Sequence, residues 1–135
     1  MRLFIDCEFN RGRGELISLA LVAEDGREFY EVLRCLDPIE WVEQNVMPIL
    51  NKEAIGYQEM QGKLHTFLQQ FPSIDVVADH PADLHYFCDA LIWNRVGDWM
   101  KTGDLTFRIV PNVDYVSAIP HNALEDARAI ARTLA

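Results

Sequence analysis

The chain has 135 residues, of which 50% are hydrophobic and 24% are charged, and its formal net charge is −9. This length and balance predict one globular domain over residues 1–135 with an ordinary hydrophobic core. The acidity argues against a protein that holds nucleic acid by a basic surface alone. It permits a metal-dependent phosphodiesterase, because divalent ions held by several carboxylates supply the positive charge that a phosphate group meets.

Membrane insertion and disulfide bonding are not expected. No run reaches the roughly 18 apolar residues that a bilayer span needs, and the acid at Asp6 interrupts the region where a signal peptide would be apolar. We therefore predict a cytoplasmic protein. The three cysteines make an odd count without paired spacing, which predicts buried free thiols rather than disulfides or a cysteine zinc site.

The first 34 residues predict a three-stranded antiparallel meander. Residues 2–6, 16–22 and 27–33 are apolar runs of strand length. Residues 10–14 contain the Asn and Gly residues typical of a turn, and residues 24–26 are a hairpin signal.

Two helices are predicted next. Asp37 and Pro38 match an N-cap followed by proline at the first helical position. Apolar residues then recur at helical spacing over residues 41–50 and again over residues 64–68.

The second half of the chain alternates strands and helices. Residues 74–78 predict a buried strand, and residues 81–92 predict a helix opened by Asp79 or His80. Residues 106–110 predict a last strand.

The C-terminal segment predicts a final helix, because Asn122 and Glu125 form a capping-box pattern with Asn as the N-cap. The whole order of elements is typical of an α/β domain. We expect a mixed five-stranded sheet with helices on both faces.

Asp6 and Glu8 are the first candidate for chemistry. Alternate residues of a strand point to the same face and lie roughly 6.6 Å apart along the chain. Two carboxylates at that spacing can bind one divalent ion. The alternative is a pair of solvated acids at the end of a strand.

His121 and Asp126 are the second candidate. Asp126 falls at the margin of the apolar stripe of the last helix, where it must either meet other acids or stay unpaired at a cost. The alternative is that Asp126 complements the helix dipole and that His121 is a neighbour of the cap.

Asp83 is the third candidate, since it falls in the first turn of a helix that follows a strand. An acid near such a junction can project over the end of the sheet. Complementation of the helix dipole is the alternative, and Asp79 is more simply interpreted as an N-cap.

The order of these three motifs resembles the DEDDh exonucleases, a family with the ribonuclease H-like fold. Residues 4–9, 15–19 and 22–28 are similar to a small bacterial 3′→5′ exoribonuclease branch, and residues 121–128 are similar to the third motif of the family. The resemblance spans nearly the whole chain. It implies a ribonuclease H-like sheet and a single DEDDh exonuclease-like domain.

The resemblance also implies the roles of the candidate residues. Asp6, Glu8, Asp83 and Asp126 would hold two Mg²⁺ or Mn²⁺ ions, and His121 would be the general base. The implied reaction removes nucleoside monophosphates from the 3′ end of a single strand, with RNA expected rather than DNA. A homodimer is compatible with the same resemblance.

Phe9, Arg11 and Arg13 are candidates for substrate contacts. Phe9 can stack on a terminal base, although packing in the core is an equal alternative. The two arginines lie in the turn after the first strand, where they are either phosphate contacts or solvated side chains.

The remaining aromatic residues carry no predicted chemistry. The three tryptophans are predicted to lie in the core or in an interface, and no role is predicted for His65, His80 or His85. Two rival functions stay open: a catalytically silent interaction module with the same fold, and an endonuclease.

Overall fold

The structure is a computed structural model that describes residues 1–135. Six strands form one sheet, and four α-helices cover it. The strands are β1 Arg2–Phe9, β2 Leu16–Ala23, β3 Glu28–Leu33, β4 Ala54–Ile55, β5 Ser73–Ala78 and β6 Asp104–Ile109. The helices are α1 Glu40–Asn45, α2 Tyr57–Leu68, α3 Pro81–Ala90 and α4 Ala123–Leu134, with a 3₁₀ turn at Met47–Ile49.

The sheet is mixed, with the strand order β4-β3-β2-β1-β5-β6. The meander of β1, β2 and β3 is antiparallel, whereas β4, β5 and β6 each join a neighbour in parallel. This arrangement confirms the predicted α/β class and is compatible with a ribonuclease H-like fold. The prediction of five strands was wrong by one, because β4 has only two residues and is too short to show a hydrophobic pattern.

The turns of the meander form where the sequence predicts them. Gly26 has φ 95° in the β2–β3 hairpin, a conformation that glycine adopts without steric cost. The β1–β2 ladder shifts register between Glu8 and Phe9. Such a bulge bends a strand near its end.

The predicted start of the first helix was wrong. α1 begins at Glu40 with Ile39 as its N-cap, rather than at Asp37 and Pro38. The buried amide of Asn10 explains the difference, because its Nδ2 donates to the Asp37 carbonyl oxygen at 2.9 Å and its Oδ1 accepts from the Ile39 N–H at 2.9 Å. These two bonds hold the segment extended until Ile39.

The helices cover both faces of the sheet, as predicted. α2 and α3 pack on one face against the largest group of buried side chains, which includes Leu3 and Ile5 of β1. α4 packs on the other face against Phe4 and Val77. Because successive side chains of a strand point to opposite faces of the sheet, the strands contribute to two separate apolar layers.

The caps of α3 and α4 use side chains. His80 caps α3, since its Nδ1 accepts from the Ala82 N–H at 3.0 Å; the interpretation of Asp79 as the N-cap was wrong. In α4, Asn122 accepts from the Glu125 N–H through Oδ1 at 3.1 Å, as predicted. The Nδ2 of the same Asn122 donates to the Ile49 carbonyl oxygen at 2.9 Å.

One prediction of burial needs correction, and for the tryptophans the structure excludes one of the two alternatives. All three cysteines are free, but only Cys7 is buried, while Cys35 is half-buried and Cys88 is exposed. The tryptophans do not lie in the core, because Trp41, Trp93 and Trp99 are 51%, 40% and 57% exposed. For Trp41, helical spacing identifies a face of α1, and it does not identify how deeply that face is covered.

None of the helices combines the length and the apolar composition that a bilayer crossing requires. The exposed tryptophans are compatible with an interface between two copies of the chain. The homodimer stays a prediction.

Candidate metal centre

The candidate site lies along the C-terminal half of β1, where one edge of this strand has no paired neighbour. β1 pairs with β5 only from Arg2 to Phe4, where Phe4 faces Val77. Beyond Phe4 no strand continues along that side. Asp6 and Glu8 lie in this half of β1; Asp6 is buried and Glu8 is half-buried.

Asp83 reaches the open side of β1 from α3. The backbone N–H of Cys7 donates to Asp83 Oδ1 at 3.0 Å, and Asp83 is buried. α3 starts only three residues after β5 ends, so its first turn lies at the end of the sheet. Asp83 thereby occupies the place that a continuing strand would otherwise take.

Asp126 arrives from the opposite face of the sheet, in the first turn of α4. Its Oδ2 accepts from the backbone N–H of His121 at 3.1 Å. Asp126 is buried, because the apolar stripe of α4 on either side of it packs against the sheet.

The acids form two groups that have one member in common. Asp6, Glu8 and Asp126 each offer a carboxylate oxygen, and these oxygens lie within 4.8 Å of one another. Oxygens of Asp6, Asp79 and Asp83 satisfy the same limit. The structure therefore brings together all four acids that were predicted as metal ligands, and it adds Asp79.

Burial and mutual repulsion perturb these carboxyl groups. Burial raises the pKa of Asp6 well above its usual range, and repulsion from Asp83 and Glu8 raises it further. Burial, with repulsion from Asp126, raises the pKa of Glu8 to about 8. The pKa of Asp83 is raised by burial and by the nearby Asp79, and burial raises the pKa of Asp126. Burial is the largest cause of each shift, and it outweighs the hydrogen bonds that Asp83 and Asp126 accept.

The donor set fits divalent cations. Asp6 Oδ2 and Asp126 Oδ1 are buried and have no hydrogen-bond partner, an arrangement that is costly unless another group satisfies the oxygens. All the donors are carboxylate oxygens, which Mg²⁺ and Mn²⁺ prefer over nitrogen or sulfur. Bound divalent cations would satisfy the unpartnered oxygens and would reduce the repulsion between the acids.

The raised pKa values predict a pH dependence of stability for the protein in the absence of divalent metal ions. The unfolded chain releases these protons near the usual values of 3.8 for Asp and 4.5 for Glu, while the folded state keeps them to higher pH. The folded state thus binds more protons between about pH 4 and pH 8, and the free energy of unfolding falls as pH rises through that window.

Thermal melts with a chelator at about pH 5.5 and about pH 8 measure this effect, and the melting temperature is expected to be lower at about pH 8. Added Mn²⁺ should raise it more at the higher pH, where fewer protons must be displaced. A metal-free melting temperature that rises between these two pH values would contradict the shifts.

His121 lies at the edge of the acid cluster, next to a residue that sequence reasoning missed. Its side chain is exposed, its φ is 71°, and its ring meets the Trp41 ring edge-on with 5.0 Å between centroids. Trp41 belongs to α1, whose start is fixed by Asn10. The sequence gives no signal for this contact, because 80 positions separate the two rings.

Tyr115 is a second residue that the sequence did not single out. Burial, and then the negative charges of Asp6 and Asp126, raise the pKa of its hydroxyl. The half-buried Tyr115 therefore lies close to the acids.

The predicted substrate contacts lie around the end of β1. Phe9 is half-buried and stacks on Tyr86, with ring centroids 5.0 Å apart. Arg11 and Arg13 are exposed and form no ion pair. The arginines are free to contact a ligand, and the Phe9 ring packs at the margin of the core.

An α/β sheet with five clustered carboxylates at one end is a candidate centre for divalent metal ions. No protein-family model matches the chain. Two curated relatives are similar to it: they are named as 3′-5′ exoribonucleases of Mycobacterium tuberculosis, from strains CDC 1551 / Oshkosh and H37Rv. Each is 39% identical over 80 residues, which cover 56% of this chain and 48% of the relative. The chain spans about half the length of the curated relatives it matches.

Proposed function

We propose that the protein is a two-metal-ion 3′→5′ exonuclease that removes nucleoside monophosphates from the 3′ end of single-stranded RNA. We assign residues 1–135 to a single domain of the DEDDh type. The observation that carries the proposal is the pair of carboxylate groups that share Asp6. Support for RNA comes from the exoribonuclease names of the two relatives.

Each group of acids is suited to one Mg²⁺ or Mn²⁺ ion. Asp6, Glu8 and Asp126 would hold one ion, and Asp6, Asp79 and Asp83 would hold the other. When bound, such a pair of ions makes a water molecule more acidic and stabilises the leaving 3′ oxygen. The backbone N–H of Cys7 orients Asp83 for this role, since it holds one carboxylate oxygen and leaves the other available.

His121 is proposed as the general base. Histidine accepts protons in the neutral range, and the exposed ring of His121 can meet a water molecule at the substrate. The hydrogen bond from the His121 N–H to Asp126 ties its backbone to the acid cluster. The Trp41 ring borders the imidazole and restricts the positions that it can take.

Incubation with Mn²⁺ and labelled 12-nucleotide RNAs tests the proposal. A 5′ label should give a ladder of shortening products, a 3′ label should appear at once in a mononucleotide, and a chelator should abolish both. A circular RNA of the same sequence should stay intact, because an exonuclease needs an end. Cleavage of the circle would indicate an endonuclease, and RNA left intact under all conditions would favour the silent interaction module.

Replacing Trp41 by Ala is expected to lower kcat by about tenfold while KM changes little, because a base that samples more positions spends less time in the productive one. The proton signals of His121 in NMR spectra should shift at the same time, since they lose the neighbouring indole ring. Trp99→Ala is the matched control, because Trp99 is equally exposed and lies away from α1. If the His121 signals shift in Trp41→Ala while kcat stays at the parent value, a positioning role for Trp41 is excluded.

A further inference from the structure

A cavity of about 740 Å³ opens between the turn after β1 and the start of α3. Its lining residues are Arg13, His80, Pro81, Ala82, His85 and Tyr86. None of these residues is acidic, although the chain contains 21 Asp and Glu residues. Three of them fill the sequence between Asp79 and Asp83, so one wall of the cavity belongs to the same stretch of chain as two members of the acid cluster.

The two walls of the cavity are tied together. The Tyr86 hydroxyl donates to the Gly14 carbonyl oxygen at 2.6 Å, which joins α3 to the turn that carries Arg13. The Tyr86 ring also stacks on Phe9 at the end of β1. The cavity is therefore formed before any ligand arrives, and its volume is in the range of small-molecule sites.

The polar groups at the cavity are hydrogen-bond donors. His80 Nδ1 accepts from the Ala82 N–H, which leaves Nε2 as the ring nitrogen that donates. Arg13 contributes a guanidinium that forms no ion pair and no side-chain hydrogen bond within the chain. A guanidinium and a ring N–H donor, at a cavity whose lining residues include no carboxylate, are suited to phosphate oxygens.

The cavity also presents an aromatic surface. His85 is exposed, and its ring meets Tyr86 edge-on, with 5.1 Å between centroids. Proteins bind single strands by combining cationic groups along the backbone with aromatic faces against the bases. The cavity has both.

We propose that this cavity binds the RNA strand on the 5′ side of the scissile phosphate, with Arg13 and His80 on phosphate oxygens and His85 stacked on a base. The inference rests on the proposed function and extends it to a strand-binding track. It predicts a preference for strands longer than a dinucleotide, because a dinucleotide has no phosphate beyond the scissile one.

Fluorescence anisotropy tests the track without turnover, using a 5′-labelled 12-nucleotide RNA with Ca²⁺ in place of Mg²⁺. Arg13→Asn removes the charge at a position where φ is 64°, a conformation that Asn tolerates. We expect affinity to fall roughly fivefold or more, and the salt dependence of log K to lose about 0.7 in slope, as for one phosphate contact. Arg13→Lys keeps the positive charge and should therefore retain most of the affinity and most of the salt dependence of the parent.

His80→Asn keeps an N-cap acceptor and removes the Nε2 donor. It should weaken binding of the 12-nucleotide RNA, because the phosphate loses a hydrogen-bond donor. Arg132→Ala is the control: Arg132 is exposed on α4, on the other face of the sheet, and its loss should leave binding unchanged. With turnover restored, the ratio of kcat/KM for the 12-nucleotide RNA to that for a dinucleotide should fall in both cavity variants.

Unchanged affinity in Arg13→Asn and His80→Asn would overturn the track, and so would an equal loss on the dinucleotide and the longer RNA. The two proposals fail separately. Binding that depends on Arg13 in a protein without nuclease activity would reject the exonuclease and keep the track. Metal-dependent shortening of the RNA that is unchanged in Arg13→Asn and His80→Asn would support the exonuclease and reject the track.

Discussion

Replacement of Asp6 by Asn is expected to reduce exonuclease turnover by about 10³-fold or more, since several kcal/mol of transition-state stabilisation depend on the metal pair. Asp6 is the only acid common to both carboxylate groups, so its loss weakens both ion sites together. Single-turnover rates at saturating Mn²⁺, with calorimetric titration of Mn²⁺, measure the two effects.

The same substitution should raise the stability of the metal-free protein by on the order of 1 kcal/mol, because a neutral amide of the same shape relieves the repulsion. Chelator-treated Asp6→Asn should therefore melt at a higher temperature than the parent. Opposite changes in activity and stability separate a lost ligand from a damaged fold. Asp104→Asn is the control on an exposed strand position; full activity in Asp6→Asn would refute the metal centre.

His121→Asn should lower kcat by about 10²- to 10⁴-fold, which is the usual contribution of a general base. Asn is chosen because it accepts the positive φ of position 121, so the backbone bond to Asp126 can persist. Steady-state rates with the 12-nucleotide RNA give kcat and KM, and KM is expected to change little.

Calorimetry should show that His121→Asn binds Mn²⁺ like the parent, because the imidazole is not among the carboxylate donors. The matched control is His65→Asn, at a histidine on α2 that contacts Lys101 instead of the acids. Partial rescue of the rate by added imidazole would support direct proton transfer. A rate within threefold of the parent would remove His121 from the mechanism.

The parts of the fold that the sequence predicts correctly are those with a local cause. The meander follows from apolar runs separated by turn residues, and the start of α4 follows from the Asn122 cap. The start of α1 was missed because Asn10, 27 residues before Asp37, decides it. β4 was missed because pairing with β3, rather than its own pattern, makes it a strand.

The site residues divide in the same way, into those that the local sequence predicts and those whose position depends on other segments. Asp6 and Glu8 share one face of a strand, and Asp83 and Asp126 fall in the first turns of helices. The order of these motifs then suggested that the four acids act together. The proximity of Asp79 to Asp83 could not be predicted, because it depends on which residue caps α3: His80 takes the cap and leaves the carboxylate of Asp79 beside the cluster.

Asn122 uses both halves of its amide, which limits what can stand at its position. Asn, Asp and Ser begin isolated helices about equally well, yet only an amide can accept from Glu125 and donate to Ile49 at the same time. Asp would place a carboxylate against a carbonyl oxygen, and Ser would be too short to reach it. The identity of residue 122 is thus determined by the Ile49 carbonyl oxygen as well as by the start of α4.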